Sequence, residues 1–362
     1  MTTIAPVLIM AGGTGGHIFP GLAVAECLRA QGVPVVWLGA HAGMETRVVP
    51  QHDIPLRLIA VGGLRGKGWS TRLLAPFMLL RALISALRVL HAVRPRSVLS
   101  MGGYVAGPGG VAAWLLRLPL VVHEQNSVAG LTNRALAHWA RSVLAGFAGV
   151  LPRAQWVGNP VRASIAQILP PAQRFATRSG RPRLLVLGGS LGARALNLAL
   201  PRALAAMPAA HRPDVVHQCG QRGLDEAVAA YAAAGVQAQV VAFIDDMAER
   251  YAWADLAVCR AGALTLAELT AAGLGALLVP FPHAVDDHQT GNAQVLVDAG
   301  AAQMLSENPQ GAIPLDVDTL QHRLELLLDS RSQLLAMAEA ARALAKPDAA
   351  QAIARACLEV AA

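Results

Sequence analysis

The chain has 362 residues, enough for two ordinary domains, and is 54% hydrophobic but only 15% charged and 4% aromatic, which excludes a disordered chain. Its four cysteines, Cys27, Cys219, Cys259 and Cys357, are scattered with no Cys-x-x-Cys, which excludes a disulfide framework and a structural zinc site and suits a reducing compartment. The net charge of +7 is regional: between Asp53 and Glu124 there is no acid, yet Arg57, Arg65, Lys67, Arg72, Arg81, Arg88, Arg94, Arg96 and Arg117 fall there, leaving 21 basic against 23 acidic residues elsewhere. A basic interval that is also apolar suits an anionic membrane surface, not a nucleic acid.

The N-terminus has no basic segment before its first apolar run, so residues 7–11 read as a strand and not as a signal peptide. That run leads into Gly12-Gly13-Thr14-Gly15-Gly16-His17 and then a helical pattern. Glycines let backbone approach a ligand closely, and a helix start presents free amides and a positive dipole end to an anion. The spacing misses the dinucleotide fingerprint, since the third glycine would fall at Ile18, and no P-loop is present. His17 closes the turn at a strand's C-terminal edge, a fitting place for a general base.

Further strands are predicted over 33–38, 97–101, 118–123, 142–145, 184–187, 215–218, 239–243, 256–259 and 276–280, alternating with helices. This alternation predicts an α/β chain with parallel sheets covered on both faces. Residues 73–90 form an apolar helix with Arg81, Ser85 and Arg88 on one face. It reads either as a buried crossover helix or as a membrane-contact element. No apolar stretch is expected to span a membrane, the longest being interrupted by Arg81 and Arg117.

A polar, proline-containing stretch after Gly158-Asn159-Pro160-Val161-Arg162 marks a domain boundary, and a second glycine turn, Gly188-Gly189-Ser190-Leu191-Gly192, follows it. Two such turns predict two Rossmann-like domains facing a shared cleft, with phosphate held in at least one. The second turn also matches the Gly-x-Ser-x-Gly elbow of α/β-hydrolases, with Asp286 or Asp287 and then His288 in triad order. A hydrolase leaves the first glycine turn without a role, whereas Ser190 as a phosphate donor uses both.

Arg260-Ala261-Gly262-Ala263-Leu264-Thr265-Leu266-Ala267-Glu268 follows a strand and opens a helix. Thr265 and Glu268 fit a capping box, and Glu268 alternatively holds a ribose diol. Residues 280–293 pack two His, two Asp, Gln and Asn after a strand, which suits a polyhydroxylated ligand. Asp316-Val317-Asp318 precedes a helical pattern and reads as a helix cap, not a metal site. The segment 336–362 reads as two helices interrupted at Lys346-Pro347-Asp348.

Taken in order, Gly12-Gly13-Thr14-Gly15-Gly16-His17, Met101-Gly102-Gly103-Tyr104-Val105-Ala106-Gly107-Pro108, His123-Glu124-Gln125-Asn126, Gly158-Asn159-Pro160-Val161-Arg162, Gly188-Gly189-Ser190 and Gly262-Ala263-Leu264-Thr265 resemble the MurG family over essentially the whole chain. The resemblance implies a glycosyltransferase B fold and an inverting, metal-independent transfer of N-acetylglucosamine from UDP-GlcNAc to lipid I, with no cofactor. It implies an N-terminal acceptor- and membrane-facing domain of residues 1–161 plus a returning segment 343–362, and a UDP-GlcNAc domain of residues 162–342. Carried over by position, Thr14, Gly15, Gly16, Asn126 and Arg162 are donor contacts, Ser190 lies at the diphosphate and Ile244 reads uracil through its backbone. Ala263, Leu264, Thr265, Leu266, Ala267 and Glu268 surround ribose and phosphates, and Gln289 touches the sugar. His17 is the candidate base, with Glu124 as the other acid–base group. His288 stands where the family often has a second glutamine, and Leu191 where glutamine is common. The implied location is the cytoplasmic face of the inner membrane, peripheral, on the anionic leaflet and beside cell-wall and division proteins. A non-hydrolysing UDP-GlcNAc 2-epimerase on the same fold and, more remotely, a Ser hydrolase using Ser190 are the alternatives.

Overall fold

The structure, a computed structural model, describes residues 4–41, 43–61, 69–189, 192–308 and 313–361, and for 69–74 and 285 the backbone alone. Strand β1 (Val7–Ala11) is buried along its whole length. Its alternate residues feed two cores: Val7, Ile9 and Ala11 one, Leu8 and Met10 the other. A continuous apolar run with period-two sharing is what a parallel strand covered on both faces requires.

From there the chain runs through α1 (Gly15–Ala30), β2 (Val35–Ala40), α2 (Glu45–Val48), β3 (Leu56–Ile59), α3 (Trp69–Val93), β4 (Ser97–Gly102), α4 (Ala106–Leu115), β5 (Leu120–Glu124), α5 (Leu131–Leu136), β6 (Ser142–Ala145) and β7 (Gln155–Trp156). These strands form one parallel sheet in the order β3-β2-β1-β4-β5-β6-β7. The order reverses beside β1, so the glycine turn after β1 lies at the topological switch point, where α/β sheets bind ligands.

The next stretch holds α6 (Ala163–Ala166), α7 (Pro171–Ala176), β8 (Arg183–Leu187), α8 (Arg194–Ala206), β9 (Asp214–Gln218), α9 (Leu224–Ala234), β10 (Gln239–Val241), α10 (Met247–Trp253), β11 (Leu256–Cys259), α11 (Ala263–Ala272), β12 (Ala276–Leu278), α12 (His288–Asp298), β13 (Ala302–Met304), α13 (Val317–Leu328) and α14 (Arg331–Ala343). Its parallel sheet runs β10-β9-β8-β11-β12-β13, with the second glycine turn after β8 again at the reversal. The last helix, α15 (Ala349–Glu359), returns to the first sheet: Ile353, Ala354 and Cys357 join its core, and Ser97 Oγ donates to Cys357 O at 2.7 Å. The chain therefore divides into two units, Met1–Val161 with Lys346–Ala362, and Arg162–Ala345.

Prolines trim three predicted strands. β2 starts after Pro34, β5 after Pro119, and β12 ends before Pro280, because proline donates nothing to a ladder. Three strands that the pattern did not reveal, β3, β7 and β13, all lie at sheet edges, where burial is partial and the apolar signal weak.

Helix α3 corrects two expectations. It runs unbroken through Arg81, and its Ala75–Val93 part, with mean hydropathy 1.5, is long and apolar enough by length and composition to cross a membrane. Nor is it a buried crossover helix. Ala82, Ala86 and Leu90 face the core, while Phe77 is 72% and Leu80 55% exposed, with Met78, Leu79 and Ile84 also exposed. The acid-free interval's Arg65 and Lys67, and the side chain of Arg72, lie outside the described residues.

Candidate active site

In the first unit the glycine turn is shaped by a neighbour that the sequence did not flag. Glu45 is fully buried; its Oε1 accepts from Ala40 N at 2.8 Å and its Oε2 from Gly13 N at 3.2 Å. The Gly13 amide is therefore committed to a carboxylate and not to a phosphate. Trp37 Nε1 pins the end of β1 by donating to Ala11 O at 2.9 Å. The turn after β4 packs directly on the first one: a Cβ on Gly103, whose φ is +85°, would stand 2.1 Å from Gly12 O, so only glycine fits. Thr14 caps α1 in extended conformation without a side-chain cap bond, and Gly15 and Gly16 open the helix, where amides have no intrahelical acceptor.

His17 is half-buried in the first turn of α1, and its Nδ1 lies 3.0 Å from Gln125 Oε1. Glu124, at the end of β5, is buried and takes four hydrogen bonds. Oε1 accepts from Asn126 N and Nδ2 at 3.0 and 3.3 Å, and Oε2 from Gly130 N and Asn133 Nδ2 at 3.2 and 3.0 Å. A carboxylate so occupied shapes its own loop. Asn126 is drawn onto Glu124 by the same bonds.

In the second unit Ser190 and Leu191 lie outside the described residues. Around them, Gly188 N donates to Gln218 O at 2.8 Å and Gln218 Nε2 donates to Gly189 O at 3.2 Å, tying the turn to β9. Helix α11 begins at Ala263 with Gly262 as its N-cap and no side-chain cap bond. Thr265 therefore sits inside the first turn, and the capping-box alternative is overturned: the helix starts three residues earlier than that motif requires. The first-turn amides, those of Ala263, Leu264 and Thr265, have no acceptor within the helix, which suits an anion. Ala263 and Leu266 are buried and offer backbone only, while Leu264, Thr265, Ala267 and Glu268 are half-buried.

Glu268, one turn into α11, is held from two sides. Tyr251 on α10 donates its hydroxyl to Oε2 at 3.0 Å, and Arg162 Nη2 donates to Oε1 at 3.0 Å. Tyr251 is fully buried, and burial together with the adjacent carboxylate raises its pKa well above the usual phenol value, so it stays a donor. Ile244 is buried in the loop between β10 and α10.

The polar loop after β12 is braced from below. Arg260 Nη1 donates to Val279 O and Pro280 O at 3.2 and 3.3 Å and pairs with Glu307, and its guanidinium lies over the Phe281 ring. Gln289 Oε1 accepts from Phe281 N at 3.0 Å, which commits its oxygen to the loop. Asp286 and Asp287 both take left-handed backbone conformations, a strain that short polar side chains tolerate best. Asp316 caps α13 by accepting from Thr319 N at 2.7 Å, as its position implied. Among the described residues no group of three His, Cys, Asp or Glu side chains is placed to hold a metal ion.

Two parallel-sheet α/β units, each with a glycine turn at its switch point, are the architecture of the glycosyltransferase B fold. Residues 7–145 match the glycosyltransferase family 28 N-terminal domain and residues 183–353 the family 28 C-terminal domain. The chain belongs to glycosyltransferase family 28 and, within it, to the MurG family. A protein of Aromatoleum aromaticum named UDP-N-acetylglucosamine--N-acetylmuramyl-(pentapeptide) pyrophosphoryl-undecaprenol N-acetylglucosamine transferase is 59% identical over 356 residues, 98% of each chain. A protein of Alkalilimnicola ehrlichii with the same name is 57% identical, again over 98% of each. The crystal structure of Acinetobacter baumannii MurG superposes with a TM-score of 0.85 at 40% identity, covering 98% of this chain and 99% of that one.

Proposed function

We propose that this enzyme transfers N-acetylglucosamine from UDP-GlcNAc to the 4-hydroxyl of the muramyl sugar of lipid I, giving lipid II and UDP for peptidoglycan synthesis. The observation that carries this reading is the full-length correspondence with transferases of that name, at 59% identity in one case. The site's chemistry agrees. In the second unit, the uncapped start of α11 and the turn containing Ser190 hold the diphosphate, Glu268 takes the ribose diol, Ile244 reads uracil and Gln289 reaches the sugar. Arg162, already on Glu268, stays beside the nucleotide. In the first unit, Thr14, Gly15, Gly16 and Asn126 are donor-contacting positions.

His17 removes the proton of the attacking hydroxyl. The new bond forms at the anomeric carbon as the bond to UDP breaks, with inversion, and UDP leaves with the electron pair. Helix-terminal amides stabilise that departing charge. The apolar, arginine-flanked outer face of α3 seats the enzyme peripherally on the anionic cytoplasmic leaflet, where the lipid-linked acceptor is presented.

Coupled measurement of UDP release with and without lipid I tests the reading. A transferase releases UDP only with the acceptor and yields a lipid-linked disaccharide. Epimerised UDP-sugar without acceptor, with no net UDP release, points to the non-hydrolysing 2-epimerase. Stoichiometric labelling of Ser190 by a serine-directed reagent points to the hydrolase.

A further inference from the structure

His123, Gln125 and His17 form one hydrogen-bonded chain inside the first unit, and its direction is set from one end. His123 Nε2 lies 2.9 Å from Gly158 O. A carbonyl only accepts, so Nε2 carries the proton. His123 is fully buried, and burial pushes its pKa down to about 4, so the ring is neutral near pH 7 and its Nδ1 is a bare lone pair. The Gln125 amide lies 3.1 Å from that Nδ1 and must offer it the NH2 group, which also reaches His123 O at 3.2 Å. The carboxamide oxygen is thereby turned to His17 Nδ1, 3.0 Å away, and can only accept from it.

The anchor of this chain is itself closely packed. A Cβ on Gly158, whose φ is +84°, would stand 2.3 Å from Lys346 Cβ, so the returning segment packs directly on that peptide. Asn159 Nδ2 donates to Gln125 O at 2.9 Å, fixing the glutamine's backbone as well.

We propose that His123 and Gln125 are positioning residues that hold His17 in its Nδ1–H tautomer and so keep Nε2 as the bare nitrogen that accepts the proton. The proposal rests on the reading of His17 as the base. Neither positioning residue needs to touch substrate. Each carbonyl, amide and ring along the chain permits one arrangement of protons, and the last step leaves a base.

Isotopic nitrogen labelling of the histidines in the full chain, read by long-range proton–nitrogen correlation, reports each tautomer directly. Near neutral pH the parent should show His17 as Nδ1–H and His123 as Nε2–H. Gln125→Met should release His17 to the Nε2–H form that free imidazoles favour. It should lower kcat by on the order of 10- to 100-fold while donor KM moves less than about twofold. Gln125→Glu retains the acceptor and should retain the Nδ1–H form. An Nε2–H His17 in the parent overturns the proposal. So does an unchanged tautomer in Gln125→Met, or a changed tautomer with unchanged kcat. If Gln125→Met fails to fold, the parent's tautomer and Gln125→Glu decide. His17→Gln with parental turnover would instead remove the base assignment while leaving the tautomer result standing.

Discussion

Tyr251 donates its hydroxyl to Glu268 Oε2 over 3.0 Å from inside the core of the second unit. The bond fixes a half-buried carboxylate one turn beyond the start of α11, with Arg162 on the other oxygen. A ribose diol at that carboxylate meets a group whose rotamer is already set, so little entropy is lost on binding.

Glu268→Ala should weaken UDP-GlcNAc by about 1.5–3 kcal/mol, the worth of hydrogen bonds to a charged group. It also orphans the buried Tyr251 hydroxyl, which costs stability of roughly 1–3 kcal/mol. Adding Tyr251→Phe separates the two effects: the double variant should regain stability but not donor affinity. Calorimetric titration and denaturant melts on the four proteins of the cycle check this. Unchanged donor affinity in Glu268→Ala would remove the ribose assignment.

Glu124 gives a sharper discrimination. Its oxygens accept from four donors, two of them backbone amides. Glu124→Gln turns an NH2 toward amides that need an acceptor and should destabilise the first unit by roughly 1–3 kcal/mol. A lost general base would instead cut turnover by about 10²–10⁴-fold at unchanged stability. The expected pattern is the first, measured as a melt beside kcat.

Acid should destabilise the chain through two buried histidines. Burial pushes both His123 and His217 down to about 4, against an ordinary value of 6.5. Between those values the unfolded chain binds protons that the folded chain refuses, so stability falls as pH drops from about 6.5 toward 4 and is fully present above that window. Each contributes up to roughly 3 kcal/mol of the loss. His217 Nδ1 is 3.1 Å from the Tyr231 hydroxyl, and His217→Gln keeps a polar group there without a titrating proton. Its stability curve should be flatter by about one proton across the window. Parallel curves for variant and parent would rule out His217 as a source of the effect.

Much of this was legible in the residues, and what was not has physical causes. The two glycine turns are written in glycine itself, because backbone packed as closely as Gly103 against Gly12 admits nothing larger. The central strands were visible as apolar runs because both their faces are covered; the edge strands β3, β7 and β13 were not. Glu45 and Tyr251 passed unnoticed because a lone acid after a loop and a lone tyrosine in a helix carry no pattern. Their links to the site run through partners 32 and 17 residues away. The capping box at Thr265 failed because spacing alone does not locate a helix start; Gly262 does. Which face of α3 is buried was equally hidden, since apolar residues lie almost all round it.

That exposed face of α3 makes the last prediction. Phe77 and Leu80 stand open to solvent, and Arg81 and Arg88 are exposed on the same helix. Trp114 near the end of α4 stacks on Trp139 in the turn after α5, with ring centroids 5.2 Å apart and both residues exposed. Apolar side chains flanked by arginines and indoles match a bilayer interface, where the apolar groups enter the acyl boundary and the arginines meet anionic head groups. Each arginine should add about 1 kcal/mol of attraction, falling as salt rises. Arg81→Glu with Arg88→Glu should weaken binding to anionic vesicles and erase its salt dependence in part. Phe77→Ser with Leu80→Ser should weaken binding in a salt-independent way, since the apolar contribution carries no screened charge. Both pairs should impair turnover of the long-chain lipid acceptor more than turnover of a short, water-soluble analogue, because the active site is untouched. Flotation with anionic and with neutral vesicles, beside assays on the two acceptors, measures all of this. Parental vesicle binding by both pairs would leave α3 as a helix whose apolar face serves some other contact.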